Sequence, residues 1–164
     1  CTFTAQAQEQ GVFKFDGGLG YGSKSGTNNN FDDEGKLGWS IGAEYFFSDI
    51  VSGHIGYTRF SKSSLDFSGI ATIDIWLTTV DFDLRYYFSS DATLIYGLVG
   101  FSSVTAHAEI DGEKASEGEN GFNAGLGAII PMSEKVGFNL QGKWHKLPDA
   151  GQFVANAGIS FRVN

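Results

Sequence analysis

Apolar and polar residues alternate with a period of two along most of the chain between Val12 and Val163. This is the spacing of a β-strand with two unlike faces, and no stretch keeps the i, i+3, i+4, i+7 spacing of an amphipathic helix for more than one turn. The alternation predicts an all-β fold of eight strands, each near the ten residues that cross a bilayer when tilted. The predicted strands are residues 12–21, 36–47, 51–60, 76–88, 94–108, 122–130, 136–146 and 153–163.

The connections between these strands alternate in length. Residues 22–35, 61–75 and 109–121 are rich in Gly, Ser, Asn, Asp and Lys and are predicted to be long loops. Residues 48–50, 89–93 and 131–135 are predicted to be tight turns, and the last connection, 147–151, is short although it should lie on the long-loop side. This alternation is typical of an antiparallel up-and-down transmembrane barrel with both termini at the short-turn, periplasmic end.

Side-chain volume predicts which face of the strands points inward, because eight strands enclose an interior just wide enough for side chains to fill. One face carries too many large side chains to fit inside, among them Phe15, Ile41, Phe82 and Leu140. The face rich in Gly, Ser and polar residues is therefore predicted to line the interior, the reverse of a soluble calyx. Only the fifth strand is ambiguous: the predicted outward set includes Leu94, Tyr96 and Leu98, whereas the inward parity holds Ile95, Val99 and Phe101.

Aromatic residues are concentrated at the two ends of the predicted strands. A general preference of aromatics for strands does not explain this clustering, whereas rings at the two membrane interfaces do. The belt next to the long loops is predicted to contain Tyr21, Trp39, Tyr57, Trp76, Trp144 and Phe153. The belt next to the short turns is predicted to contain Phe13, Tyr45, Phe47, Tyr86, Phe88 and Phe161.

Over residues 11–164 the chain resembles the small eight-stranded outer-membrane barrels of the OmpA/OmpX type. The most specific piece is the last strand, 153–163, which is similar to the C-terminal signal that the outer-membrane assembly machinery recognises, although its aromatic Phe161 is followed by Arg162, Val163 and Asn164. The resemblance implies a Gram-negative outer membrane as the location. It implies outer-membrane lipids, lipopolysaccharide, the assembly machinery and other outer-membrane proteins as partners.

Composition and charge narrow the picture further. The 164 residues are enough for one domain, and 23 glycines with 15% aromatic and 18% charged residues exclude a disordered, collagenous or coiled-coil chain. A net charge of −8 argues against a nucleic-acid partner, because binding phosphates needs an excess of Lys and Arg.

The first residues suggest processing. Ala5-Gln6-Ala7 matches the small-x-small pattern that a signal peptidase cleaves, so residues 1–8 are expected to be a signal-peptide remnant or N-terminal tail and residues 9–164 the barrel domain. The alternative is that Cys1 is the lipid-bearing first residue of a lipoprotein.

Charged residues of both signs fall on the inward parity and form the main candidate site. An unpaired ion in a narrow lumen is costly, so these groups are expected to form a hydrogen-bonded network. We favour a network that plugs the barrel over a gate or narrow ion path, because eight strands leave no open channel. The set is Lys14, Asp16, Glu44, Asp81, Asp83, Arg85, Lys143 and Arg162.

Other candidate chemistry is weaker. His54, His107 and His145 also fall on the inward parity, but strand spacing separates the last two by roughly 10 Å, so no metal site is predicted. The acidic segments 28–34 and 111–119 are expected to be solvated loops, since 28–34 lacks the glycine of a calcium-binding loop. No nucleophile, paired carboxylates or cofactor motif stands out, so neither an enzyme nor a cofactor is predicted.

The sequence therefore predicts a non-enzymatic outer-membrane barrel with a structural or surface-interaction role, or a role as an accessory to a larger outer-membrane complex. Two alternatives remain open. One is a lipid-modifying enzyme or protease on the same barrel, in which His107 or His145 would approach Ser102, Ser103 or Asp149. The other is a soluble ligand-binding calyx, with apolar residues inside.

Overall fold

The computed structural model describes residues 10–25, 35–67, 71–88, 93–110, 113–148 and 151–163. No helix among these residues has the length and apolar character needed to span a membrane. Within these ranges the chain forms nine strands, whose bounds are β1 (Phe13–Ser25), β2 (Lys36–Phe46), β3 (Val51–Phe60), β4 (Ser63–Phe67), β5 (Ala71–Tyr87), β6 (Leu94–Ile110), β7 (Glu113–Pro131), β8 (Val136–Lys146) and β9 (Gly151–Val163).

Eight of the strands close into an antiparallel barrel. Every strand from β1 to β8 except β3 pairs with the strand that follows it in sequence. β3 pairs with β5 instead, and the last strand, β9, pairs with β1, so the sheet closes on itself. Closure satisfies the backbone hydrogen bonds that an open edge would leave exposed, which is the condition for strands to lie in hydrocarbon. The predicted eight-stranded up-and-down barrel is confirmed, with one additional strand.

The additional strand β4 extends the line of β3 beyond the closed ring. β3 pairs with residues 78–86 of β5, and after Ser61 and Lys62 the chain resumes pairing as β4 with residues 71–75. The prediction of a long loop over 61–75 is therefore wrong: it contains β4 and the start of β5.

The prediction of a loop over 109–121 is also wrong, because β6 runs to Ile110 and β7 begins at Glu113. Residues 113–121 are polar or small on both faces, so they show no alternation that would indicate a strand. Their backbone pairing with β6 makes them strand. Asp111-Gly112, which lies outside the described residues, is a strong hairpin signal in sequence and could have indicated this extension.

The outer wall is apolar and the interior polar, as predicted. Phe15, Ile41 and Phe82 expose about half of their surface, at 49%, 55% and 55%. In contrast, Asp83 and Gln141 are buried at 4% and 7% exposure. This arrangement excludes the soluble calyx, which needs the opposite distribution.

One strand has the opposite orientation to the prediction. On β6 the predicted outward residues Leu94, Tyr96 and Leu98 are buried in the barrel, whereas Ile95, Val99 and Phe101 are exposed on the wall. Side-chain volume predicts the wrong orientation for β6 because a glycine on the neighbouring strand leaves space in the interior for an aromatic ring. Gly127 is paired with Tyr96, and a Cβ at Gly127 would overlap the Tyr96 ring.

The orientation of β6 can be tested with single cysteines in a Cys1→Ser background. We expect a fluorophore on Val99→Cys to be quenched by spin-labelled acyl chains, because that position faces hydrocarbon. The thiol of Leu98→Cys points into the filled lumen, so it should not react with the same fluorophore while the barrel is folded. Labelling at position 98 but not at position 99 would contradict this orientation.

Candidate functional site

The strand alternation brings the predicted charged residues into the barrel interior. Cross-strand pairing places Lys14 opposite both Glu44 and Arg162, and His54 opposite both Glu44 and Asp83. The charged side chains enter from five strands: Lys14 and Asp16 from β1, Glu44 from β2, Asp81, Asp83 and Arg85 from β5, Lys143 from β8 and Arg162 from β9.

A first group of contacts is centred on Glu44 and Arg85, each about 1% exposed at its side chain. The Arg85 Nη1 lies 3.2 Å from the Glu44 Oε2, and the Arg85 Nη2 donates to the Gln141 Oε1 at 2.8 Å. Glu44 also accepts hydrogen bonds from Ser52 and from the Tyr87 hydroxyl, the latter at 2.6 Å. The carboxylate therefore has three partners within the lumen.

Aromatic rings complete this group. The Arg85 guanidinium lies 4.8 Å from the centroid of the Tyr96 ring, and the Lys14 ammonium lies 4.4 Å from that of Phe46. The Tyr96 hydroxyl donates towards Asn139 at 2.9 Å and Gln141 at 3.0 Å. The rings stabilise the cations through cation–π attraction and occupy space in the lumen.

A second group is centred on Lys143, whose side chain is 2% exposed. Its ammonium donates to the Asp81 Oδ2 at 2.5 Å and to the Asp83 Oδ2 at 3.1 Å. Ser102 donates to Asp81 at 2.7 Å, and the Asn123 amide donates to Asp83 at 2.9 Å. Both carboxylates thus have a cation and a neutral donor.

His54 connects β1 to the second group. Its Nε2 lies 3.1 Å from the Asp16 Oδ2 and its Nδ1 lies 3.5 Å from the Asp83 Oδ2. The ring passes over Gly42, where a Cβ would overlap the His54 Nε2 and crowd the Asp16 carboxylate. Glycine at 42 therefore leaves the space in which these two side chains meet.

The three histidines do not share a site. His145 is buried with its Nε2 3.8 Å from the Asp81 Oδ1. The prediction that His107 faces inward is wrong: it lies on the outward parity of β6, and its ring stacks on Trp76 at 5.1 Å. Among the described residues no group of three or more His, Cys, Asp or Glu side chains is placed to hold a metal ion.

The eight predicted interior charges balance. Lys14, Arg85, Lys143 and Arg162 carry four positive charges, and Asp16, Glu44, Asp81 and Asp83 carry four negative charges.

The tyrosines of this network were not predicted from the sequence. Tyr87 shares the inward parity of Asp81, Asp83 and Arg85, a signal that could have found it, whereas Tyr96 was assigned to the wrong face.

The predicted belt aromatics lie on the outer wall. At the short-turn end Phe13 packs on Tyr45 at 4.7 Å and Tyr45 on Phe47 at 5.4 Å. At the other end Trp39 packs on Tyr57 at 5.5 Å. Contrary to the prediction, Trp76 is not at a strand end, because β4 supplies a pairing partner that lets β5 begin at Ala71. The remaining members, Tyr21, Tyr86, Phe88, Trp144, Phe153 and Phe161, are exposed on the wall.

Some sequence predictions lie outside the described residues. These are the processing segment with Cys1 and Ala5-Gln6-Ala7, the acidic segment 28–34, and Asp149. Of the second acidic segment, the described residues 113–119 belong to β7.

Comparison with known proteins identifies the type of barrel. Residues 1–162 match the family described as the outer membrane protein beta-barrel domain. The structure is similar to that of Ail from Yersinia pestis in complex with the heparin analogue sucrose octasulfate, with 15% identity, a TM-score of 0.72, and coverage of 94% of this chain and 99% of Ail.

Two other solved barrels are similar to the chain. Neisserial surface protein A has 16% identity and a TM-score of 0.72, with 92% of this chain and 97% of that protein covered. OprG from Pseudomonas aeruginosa has 16% identity and a TM-score of 0.66, with 97% and 99% covered. At such identities the likeness to solved structures shows the fold alone, and no curated protein sequence matches the chain.

The Glu44–Arg85 pair can be tested by a double-mutant cycle. We expect Arg85→Gln to lower the free energy of unfolding by about 3–5 kcal/mol, because it leaves a buried carboxylate without its cation. Glu44→Gln/Arg85→Gln should regain part of that loss. Urea titration in phospholipid vesicles, followed by tryptophan fluorescence, measures both, with Lys135→Gln in an exposed turn as the control. If the loss of unfolding free energy in the double variant equals the sum of the losses in the two single variants, the pairing is contradicted.

The space above Gly42 gives a second test. We expect Gly42→Ala to destabilise the barrel by about 1–3 kcal/mol, because the added methyl overlaps His54. Gly17→Ala is the matched control, since its Cβ would meet only ordinary contacts of 3.7 Å and 3.9 Å. The same urea titration compares them, and equal stabilities of the two variants would show that His54 does not need this space.

Proposed function

The chain belongs to the outer membrane protein β-barrel family, and from this premise we propose that it is a plugged, non-enzymatic barrel with a structural or surface-interaction role. As a member of this family it is located in the outer membrane of a Gram-negative bacterium. Its termini lie on the periplasmic side in this proposal, because the short turns mark that end in such barrels.

The observation that carries the proposal is the filled and neutralised lumen. Arg85 and Lys143, the two cations at the centre of the contact groups, are 1% and 2% exposed. Each has a carboxylate partner in an interior that eight strands keep narrow. A buried ion whose partner is removed is destabilising by several kcal/mol, so opening a path for ions would disrupt contacts that hold the fold together. The network acts as a plug that makes the barrel rigid.

With the lumen plugged, the barrel acts through its surfaces. The wall is apolar between two aromatic belts and contacts lipid and lipopolysaccharide, while the hairpins β3–β5 and β6–β7 extend beyond the outer belt and present polar residues to other molecules. Other outer-membrane proteins, including a larger complex to which this barrel is an accessory, are the protein partners in this proposal. The last strand, β9, is the segment that the assembly machinery would read.

The enzyme alternative finds no support in the described residues. His145 is fully buried beside Asp81, whereas His107 lies on the outer wall against Trp76, so the two do not form one site. Ser102, one of the candidate nucleophiles, is 0% exposed and donates its hydroxyl proton towards Asp81. A substrate could reach neither His145 nor Ser102 without opening the plug.

The plug is tested by conductance in planar bilayers. We expect the purified barrel to carry no steady current, because its inward charges are paired and its centre is filled. Simultaneous Arg85→Ala and Lys143→Ala should produce measurable openings, since both central cations and their bulk are removed. Steady current through the unmodified barrel would overturn the plug.

The conductance experiment needs a control that shows that each protein has folded into a membrane barrel. The folded protein should be extracted from membranes only by detergent and should migrate differently on a gel before and after boiling. A freely soluble protein with no heat-dependent shift would contradict the membrane barrel itself. Variants that lose the shift are unfolded and say nothing about conductance.

A further inference from the structure

A group of cations and rings lies on the outer wall where β3, β5 and β6 leave the closed ring. Arg59 is outward on β3, and its guanidinium lies 5.9 Å from the centroid of the Trp76 ring on β5. The Lys62 ammonium lies 4.7 Å from the same ring, and His107 of β6 stacks on it. We refer to Arg59, Lys62, Trp76 and His107 as the Arg59 patch.

The Arg59 patch lies at the height of the outer membrane interface. Arg59 is eight residues after Val51, which follows the short turn at the other end of β3. At about 3.4 Å per residue and a tilt near 40°, this separation corresponds to roughly 20 Å along the membrane normal. Outer-membrane barrels have an apolar band about 25 Å tall. Arg59 therefore lies near the top of the band, where it is paired with the belt residue Trp39.

The two cations differ in their partners. Lys62 lies 3.4 Å from Asp74 and 3.8 Å from Glu109, which also face outward. A hydrogen bond donated by Ser64 holds the pKa of Asp74 below its ordinary value, so this carboxylate is charged at neutral pH. In the part of the chain that the structure describes, no carboxylate lies within ion-pair distance of Arg59.

We propose that the Arg59 patch binds the phosphate group of a phosphorylated outer-leaflet glycolipid, with Arg59 as the main ligand and Lys62 as the second cation. A guanidinium matches two phosphate oxygens at once. Trp76 holds both cations on one side of the barrel, and Ile55 and Phe82, exposed below on the same wall, contact the acyl chains. This inference rests on the proposed contact of the barrel with lipid, and it does not depend on the plug.

Charge complementarity favours a lipid over a soluble anion as the occupant. The chain carries a net charge of −8, which disfavours the approach of free anions. A lipid phosphate is instead held at the height of the belt by its own acyl chains, so Arg59 meets it at high local concentration. The Arg59 guanidinium, which has no carboxylate partner among the described residues, thus fits an anion delivered in the plane of the membrane.

The test compares charge-matched variants for binding of diphosphoryl lipid A. Barrels are reconstituted in phosphatidylcholine nanodiscs doped with the lipid, and native mass spectrometry counts the lipid A retained on each. We expect Arg59→Gln/Lys62→Gln to weaken retention by roughly thirtyfold, because each cation near an anionic surface contributes about fivefold. Lys135→Glu changes the net charge by the same two units, at the turn on the opposite side of the membrane, and should retain lipid A within about twofold.

Two further arms identify what is recognised. Dephosphorylated lipid A with the same acyl chains should bind the parent barrel as weakly as diphosphoryl lipid A binds the Arg59→Gln/Lys62→Gln variant. Arg59→Lys should keep more binding than Arg59→Gln, since it keeps the charge but loses the two-oxygen geometry. If the double variant does not show the heat-dependent gel shift, Lys62→Gln alone, on an exposed side chain, should still weaken retention by about fivefold.

Each contrary result overturns the proposal. Equal retention by the parent and the Arg59→Gln/Lys62→Gln barrel would show that the patch does not bind lipid A. Equal binding of dephosphorylated lipid A to the parent would show that acyl chains alone are recognised, and an equal loss in Lys135→Glu would show that only net charge matters. Failure of the proposed plug would appear separately, as steady current through barrels that still retain lipid A.

Discussion

Closing eight strands into a ring leaves an interior so narrow that inward side chains meet across it, and the rest of the structure depends on that constraint. Charges from β2 and β5 meet as Glu44 and Arg85, and Lys143 from β8 reaches both Asp81 and Asp83 on β5. In a wider barrel these ions would be hydrated. Here burial makes pairing obligatory, and a neutral set of eight charges is the result.

The same constraint distributes volume between neighbouring strands. Two large inward side chains occupy space that a glycine on the next strand leaves open: Gly127 leaves it for Tyr96 and Gly42 for His54. At these positions a large side chain on one strand is matched by a glycine on its neighbour. The glycines that line the lumen belong to the network because they define where its rings and carboxylates can meet.

In the proposed function, a barrel with a filled lumen acts through its surfaces. The outer wall is apolar, and on β3 its outward face is uncharged from Val51 until Arg59, at the height of the outer interface. Arg59 lies close to Trp39 and to the indole of Trp76, and in the proposed lipid contact it meets a lipid phosphate there. The upper part of β7, residues 113–121, carries polar or small side chains on both faces, as a segment in water allows.

The sequence by itself determined the barrel, its eight membrane-crossing strands, its inside and its outside, and which charges enter the lumen. It could do so because a strand between lipid and a packed interior must alternate with a period of two, and because large rings exceed the interior volume. Only the tertiary structure decided the orientation of β6, the presence of β4, and that Asp83 is shared between Lys143 and His54. These three features depend on the register between strands and on the space that a neighbouring strand leaves, as Gly127 does for Tyr96. The alternation of polar and apolar residues along one strand carries no information about which residues lie beside it on the next strand.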